Sequence, residues 1–273
     1  MRGEFLDLGG ARLYYYAAGT RGAGVPVVFI HGFPTSSHLW GDIVPLMPAG
    51  HRLVIVDLLG YGRSDRPLRH PVDVGAHAER MVGLLDELRI PRACIVGHGM
   101  GGGIAQALAV GHPQRVSSLC LIDSISLERR PIVTSRFSAV VLAMAGLLPT
   151  RAMLATLRRE LRRGYIDPAR AERSIDLYLR PFQDAAGRVA ILAHIQALEH
   201  AQAISIAQRL STVAVPTSLI WGRRDRLLPL LLGQRLQAAI PGATLDVIPD
   251  VGHFTPEEAP QRISESIAVL LKR

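Results

Sequence analysis

No apolar run in this 273-residue chain approaches the roughly 20 residues that a bilayer-spanning helix needs. The first residues, Met1 to Asp7, lack the apolar stretch of a secretory leader. These absences predict a soluble, cytoplasmic protein. Cysteine is scarce: Cys94 and Cys120 each lie inside an apolar, strand-like run, with no CxxC spacing and no metal-ligand context. They read as buried thiols, and neither a disulfide framework nor a metal site is expected. Lysine is nearly missing, with Lys272 the single one. The formal charge of +8 therefore rests on arginines, most of them scattered along the chain. One cluster, Arg158-Arg159 and Arg162-Arg163, has i, i+4 spacing that puts it on one helical face, with Leu154, Leu157 and Leu161 on another. We read that face as solvated. No nucleic-acid-binding signature accompanies it, and there are no internal repeats and no low-complexity tracts.

What is present is a chain that is 48% apolar and alternates short β-like runs with helical patterns. The β-like runs are Val27–Ile30, Arg52–Asp57, Cys94–Val96, Ser118–Asp123, Pro216–Trp221 and Thr244–Ile248. Continuous β-branched and leucine runs separated by helices indicate a parallel sheet covered on both faces. Glu4–Leu8 and Arg12–Ala17, joined at Gly9-Gly10, predict an antiparallel hairpin. After Asp123 the alternation stops. A largely helical stretch, broken at Gly164–Pro168 and Arg180-Pro181, is too long for a plain connection. It predicts a helical lid over 126–210, inserted into a core formed by 1–125 and 211–273.

Ala93 to Ala105 reads as a buried strand, a tight turn and a helix start. The turn Gly97-His98-Gly99-Met100-Gly101 matches the nucleophile elbow G-x-S-x-G except at its centre, where Gly99 has no side chain with which to attack. Four further motifs follow the same order. His31-Gly32-Phe33-Pro34 comes after a strand, and Asp57-Leu58-Leu59-Gly60-Tyr61-Gly62-Arg63-Ser64-Asp65 matches D-x-x-G-x-G-x-S. Trp221-Gly222-Arg223-Arg224-Asp225 and Val251-Gly252-His253-Phe254 close the series. Together these resemble the α/β-hydrolase superfamily over nearly the whole chain. The resemblance implies an α/β fold with a mostly parallel sheet of about eight strands, flanked by helices and carrying an inserted helical cap.

It also implies roles. His253 would be the general base, and Asp225 would fix its tautomer, with Asp123 as the alternative acid position of some relatives. The backbone N–H groups of Phe33 and Met100 would form the oxyanion hole. His31 is expected to brace its loop and His98 to pack beside the elbow. Trp40, Tyr165 and Tyr178 are candidates for substrate contact, each also readable as a packing residue. The setting of the elbow is similar to the aspartate-type branch of epoxide hydrolases and dehalogenases, although Met100 stands where haloalkane dehalogenases usually carry Trp.

Three explanations of Gly99 stay open. The chain is a hydrolase whose serine or aspartate nucleophile has been deliberately exchanged, a natural lyase, decarboxylase or cyclase that uses His253 without a covalent intermediate, or a non-catalytic binding protein that kept the pocket. The expected partner is a small, largely apolar molecule acted on by a monomer or homodimer. No metal or organic cofactor, nucleic acid or membrane is implied.

Overall fold

The computed structural model describes residues 3–20, 22, 24–66, 70–125, 149–197 and 206–272. Its centre is an eight-stranded sheet, with the strands lying in the order β1-β2-β4-β3-β5-β6-β7-β8. The strands are β1 (Glu4–Asp7), β2 (Arg12–Gly19), β3 (Val27–Ile30), β4 (Arg52–Asp57), β5 (Ala93–His98), β6 (Val116–Ile122), β7 (Thr217–Gly222) and β8 (Thr244–Ile248). β1 and β2 form the expected antiparallel hairpin, and β2 also runs antiparallel to β4. Every pairing from β4 to β8 is parallel.

All residues of β3 and β5 are buried, which requires cover on both faces of the sheet. Helix α1 (Val74–Glu87) packs against α2 (Met100–Gly111), which follows β5 directly. Asp73 caps α1 by accepting from the Ala76 N–H at 2.9 Å, a bond that satisfies one of the helix's orphan donors.

Between β6 and β7 the described residues form three α-helices: α3 (Thr150–Arg162), α4 (Pro168–Leu179) and α5 (Ala185–Ala197). The breaks between them fall at the Gly164–Pro168 and Arg180-Pro181 positions read from the sequence. Asp167 caps α4, and Pro168 occupies its first turn, where a missing N–H costs nothing. Residues 126–148 and 198–205 of the expected lid lie outside the described residues.

The arginine face of α3 departs from the reading of a purely solvated surface. Arg158 pairs with Asp176, and Arg162 pairs with Glu172 at 2.5 Å, so the cluster also links α3 to α4. Sequence periodicity locates a face, but not the neighbour that reaches it. Leu157 and Leu161, on the apolar face, are buried as expected.

Three elements complete the described chain: α6 (Leu230–Ala239), the short α7 (Thr255–Glu258) and α8 (Pro260–Leu270). In a parallel sheet the C-terminal strand ends share one edge. The loops after β3, β5, β6 and β7 therefore converge there, as do the loops of open α/β sheets that bind ligands.

Candidate active site

Gly99 caps the N-terminus of α2 with φ +54° and ψ −118°, a conformation that side-chain-bearing residues rarely adopt. Its carbonyl accepts from the N–H groups of Gly102 (3.1 Å), Gly103 (3.4 Å) and Ile125 (3.0 Å), which fixes the turn through backbone alone. The flanking glycines are required by close approach. A Cβ at Gly101 would overlap the Ile30 carbonyl and stand 2.6 Å from that of His31, and one at Gly97 would overlap the Gly101 carbonyl. At Gly99 itself there is room. The nearest atoms to a Cβ there would be the Gly32 Cα at 3.7 Å and the His253 Nε2 and Cε1 at 3.8 and 4.0 Å, ordinary contact distances. The turn thus aims position 99 at the imidazole of His253.

His253 is buried, and its Nδ1–H donates to Asp225 Oδ2 at 2.8 Å. The other oxygen of Asp225 accepts from the N–H groups of Leu227 and Leu228 at 2.7 and 2.8 Å. With Nδ1 committed as a donor, the lone pair of His253 lies on Nε2, the atom that faces position 99. The His253 N–H donates to the Gly164 carbonyl at 2.6 Å, which ties this loop to the turn between α3 and α4.

His98 packs beside the elbow and donates from Nε2 to the His253 carbonyl at 2.9 Å. Burial pushes its imidazole well below the usual histidine range, so it is neutral. His31 braces two loops: its Nδ1 donates to the Gly32 carbonyl at 2.9 Å, and its Nε2 accepts from the Leu58 N–H at 2.9 Å. Asp123 ends β6 in a left-handed conformation and accepts from the Gly222 N–H at 2.8 Å. Burial, reinforced by the charge of Asp225, raises its carboxyl well above the usual range.

Among the described residues, His98, Asp123 and His253 are the one group of histidine, cysteine and acid side chains whose donor atoms lie close enough together to hold a metal, within 4.8 Å of one another. Of these donor atoms, His253 Nδ1 already serves Asp225.

The loops that carry Phe33 and Met100 adjoin: a Cβ at Gly32 would stand 3.2 Å from the Met100 backbone nitrogen. Trp40 is fully buried, its ring 5.2 Å from that of Phe29. Tyr165 and Tyr178 are also buried, and both hydroxyls are engaged by one carboxylate. Tyr165 donates to Glu257 at 3.2 Å, Tyr178 donates to the same group, and Ser174 Oγ adds a third bond at 2.6 Å. Burial raises the Glu257 carboxyl, an effect the three hydroxyls oppose.

The neighbouring Glu258 accepts from Ile166 N (2.6 Å), Asp167 N (2.9 Å) and Gly252 N (2.8 Å). Sequence reasoning missed both glutamates. Their signal was the pair of acids closing the stretch His253-Phe254-Thr255-Pro256-Glu257-Glu258, which reads as a solvated helix start until the fold sets it against α4.

The sheet order, the glycine elbow and the facing Asp225–His253 pair define an α/β-hydrolase architecture. The chain belongs to the alpha/beta hydrolase fold family, whose model matches residues 25–260. It is similar to an uncharacterized hydrolase, YugF, of Bacillus subtilis (strain 168): 30% identical over 251 residues, covering 90% of this chain and 89% of that one. It is also similar to haloalkane dehalogenase 2 of Mycobacterium bovis (strain ATCC BAA-935 / AF2122/97), at 29% identity over 97% of this chain and 93% of that one. Among solved structures, an alpha/beta hydrolase fold protein from Burkholderia ambifaria superposes with a TM-score of 0.85 at 28% identity, covering 97% of this chain and 99% of that one. No helix among the described residues is long and apolar enough to cross a membrane.

Proposed function

We propose that this protein carries the active site of a hydrolase for a small, largely apolar molecule, with Gly99 standing at the nucleophile position. The observation that carries the reading is the alignment of three groups. Asp225 holds Nδ1 of His253 at 2.8 Å, and Nε2 of the same ring stands 3.8 Å from where a Cβ of residue 99 would be. A serine or aspartate there would complete a triad in the chain order nucleophile, acid, histidine. Asp225 and His253 take the roles of acid and base, and the N–H groups of Phe33 and Met100 those of oxyanion donors. Residues 126–210 act as the lid over a core of residues 1–125 and 211–273. The setting of the elbow, similar to the aspartate-type branch, favours an aspartate as the missing group.

With glycine at 99, the covalent half of such a mechanism has no nucleophile, and His253 retains the other half. A water in the space of the absent side chain loses a proton to Nε2 as its oxygen bonds to an ester carbonyl carbon. The carbonyl electron pair moves onto the oxygen facing the Phe33 and Met100 N–H groups. Collapse breaks the bond to the leaving alkoxide, which takes the proton back from His253, so ester and water give acid and alcohol. The same water-and-histidine arrangement supports the second reading, a lyase, decarboxylase or cyclase without a covalent intermediate. The unbroken Asp225–His253 hydrogen bond favours keeping that reading, since a base with no task has no need of its orienting carboxylate.

The test is a panel of esters, epoxides and haloalkanes assayed with the chain as it stands and with Gly99→Ser, Gly99→Asp and His253→Ala. We expect Gly99→Ser or Gly99→Asp to raise turnover by about a thousandfold or more on one substrate class. Activity in the parent chain that disappears with His253→Ala supports the water route. Tight binding with no turnover in any variant would overturn the enzyme reading.

A further inference from the structure

The loop that bears His253 is attached to the helical segment between β6 and β7 more extensively than a base requires. Glu258 bridges two backbone regions with one side chain: Oε2 accepts from Gly252, the residue before His253, and Oε1 accepts from Ile166 and Asp167, at the entrance of α4. One residue earlier, Glu257 gathers the hydroxyls of Tyr165, Ser174 and Tyr178 from the start and the buried face of α4. Between these attachments the Tyr165 ring stacks on Phe254, with centroids 4.0 Å apart and planes 12° from parallel. The His253 N–H closes the contact on the Gly164 carbonyl. Glu257 and Ser174 also line a cavity of about 310 Å³ shared with Asp42 and Arg170, whose ion pair ties α4 to the turn after β3.

These bonds have one physical consequence. The backbone amides of residues 166, 167 and 252 can be satisfied by Glu258 together only while α4 is docked. Undocking α4 would strip Glu258 Oε1 of both its partners, and the side chain that holds Gly252 through Oε2 would lose its fixed position. It would also bare Glu257, a residue 4% exposed whose carboxyl accepts from Ser174 and Tyr178 in α4 and from Tyr165 just before it. A carboxylate bonded to several N–H or O–H groups is worth more than any single bond, because each loss leaves a charged, desolvated acceptor.

We infer that Glu258 is a positioning residue for His253, and that with Glu257 it makes the docking of α4 and the placement of the His253 imidazole a single event. The inference rests on His253 being the base of the proposed reaction. Its primary test does not depend on turnover.

Full-length protein labelled with ¹⁵N-histidine is compared with Glu258→Ala, Glu258→Gln and Glu257→Gln, the His253 signals being assigned by their loss in His253→Gln. In Glu258→Ala we expect the Nδ1–H resonance to broaden and the His253 titration midpoint to move. Amide exchange at Ile166, Asp167 and Gly252 should accelerate about tenfold or more. Glu257→Gln should shift the same His253 signals in the same direction by less. In the Gly99→Ser background, Glu258→Ala should lower kcat about tenfold while KM changes less than about twofold.

Faster amide exchange with an unmoved His253 titration overturns the positioning role and leaves a structural clasp. Unchanged exchange overturns the clasp as well. If Glu258→Ala does not fold, Glu258→Gln keeps one acceptor oxygen, breaks one of the two attachments and is read in the same way. A chain without turnover that shows the expected resonance shifts would refute the hydrolase reading and not this one.

Discussion

The two loops that face each other across the site are built on opposite principles. The elbow from Gly97 to Gly103 is shaped by backbone: a Cβ at Gly97 or Gly101 would overlap a carbonyl, and the turn is closed by three N–H groups on the Gly99 carbonyl. The loop from Val251 to Glu258 is shaped by side chains, through Asp225 on His253, Glu258 on Gly252 and Glu257 on three hydroxyls. The contrast explains how position 99 can lack a side chain while the frame around it stays whole. Removing a side chain from a backbone-built turn costs little structure, whereas the facing loop would lose its geometry with any one of several carboxylates.

The largest test of that contrast is Gly101→Ala. Its Cβ would overlap the Ile30 carbonyl, and backbone on both sides cannot yield. We expect a loss of at least about 3 kcal/mol in denaturant unfolding. A near-wild-type midpoint would show that the elbow is softer than its contacts imply.

The elbow also carries a pH-dependent contribution through His98. Its folded pKa is depressed by burial, so below about pH 6.5 the unfolded chain takes up a proton that the folded chain refuses. Stability therefore falls as pH decreases from 6.5, by about 1.4 kcal/mol per unit for this group. His194, pushed down to about 4 by burial, adds the same slope between 6.5 and 4. In His98→Asn, the stability slope between pH 6.5 and 5 should be shallower by that one increment, read by urea titration at each pH.

On the opposite loop, Tyr178→Phe removes one donor from Glu257 and leaves a buried acceptor short of a bond. A loss of about 1.5 kcal/mol in thermal unfolding is expected. A value near zero would mean that the hydroxyls of Tyr165 and Ser174 suffice.

The smallest effect belongs to Gly99→Ser. Space is available, so the cost is only that of holding a serine at φ +54°, about 1 kcal/mol. Gain of activity together with slight loss of stability would be the signature of a nucleophile restored at a strained turn.

Much of this molecule was legible from residue order. Apolar runs located every strand of the parallel core, because the inner strands are buried on both faces and are mostly apolar, while the edge strand β8 is partly exposed and carries Thr244 and Asp246. Thr244–Ile248 was read with the bounds the fold has, while Cys94–Val96 proved to be the interior of the longer Ala93–His98. The Gly-Pro and Arg-Pro breaks located the helix junctions because proline and glycine act locally. His31, His98, Asp225 and His253 were named from motifs whose chemistry is local to a turn. Three things were not legible: the lateral order that sets β4 between β2 and β3, the ion pairs from the α3 arginines to α4, and the Glu257–Glu258 attachment. Each depends on which segment arrives alongside, and Glu257 meets Tyr178 from 79 residues away.

The sequence by itself determined the class of fold, the alternation of its elements and the absence of a side chain at residue 99, since these follow from local pattern and residue chemistry. Only the tertiary structure decided that the vacant position points at His253 Nε2, and that two adjacent glutamates bind the loop of that histidine to a distant helix. Directions in space and hydrogen bonds between remote segments exist only once the chain has packed.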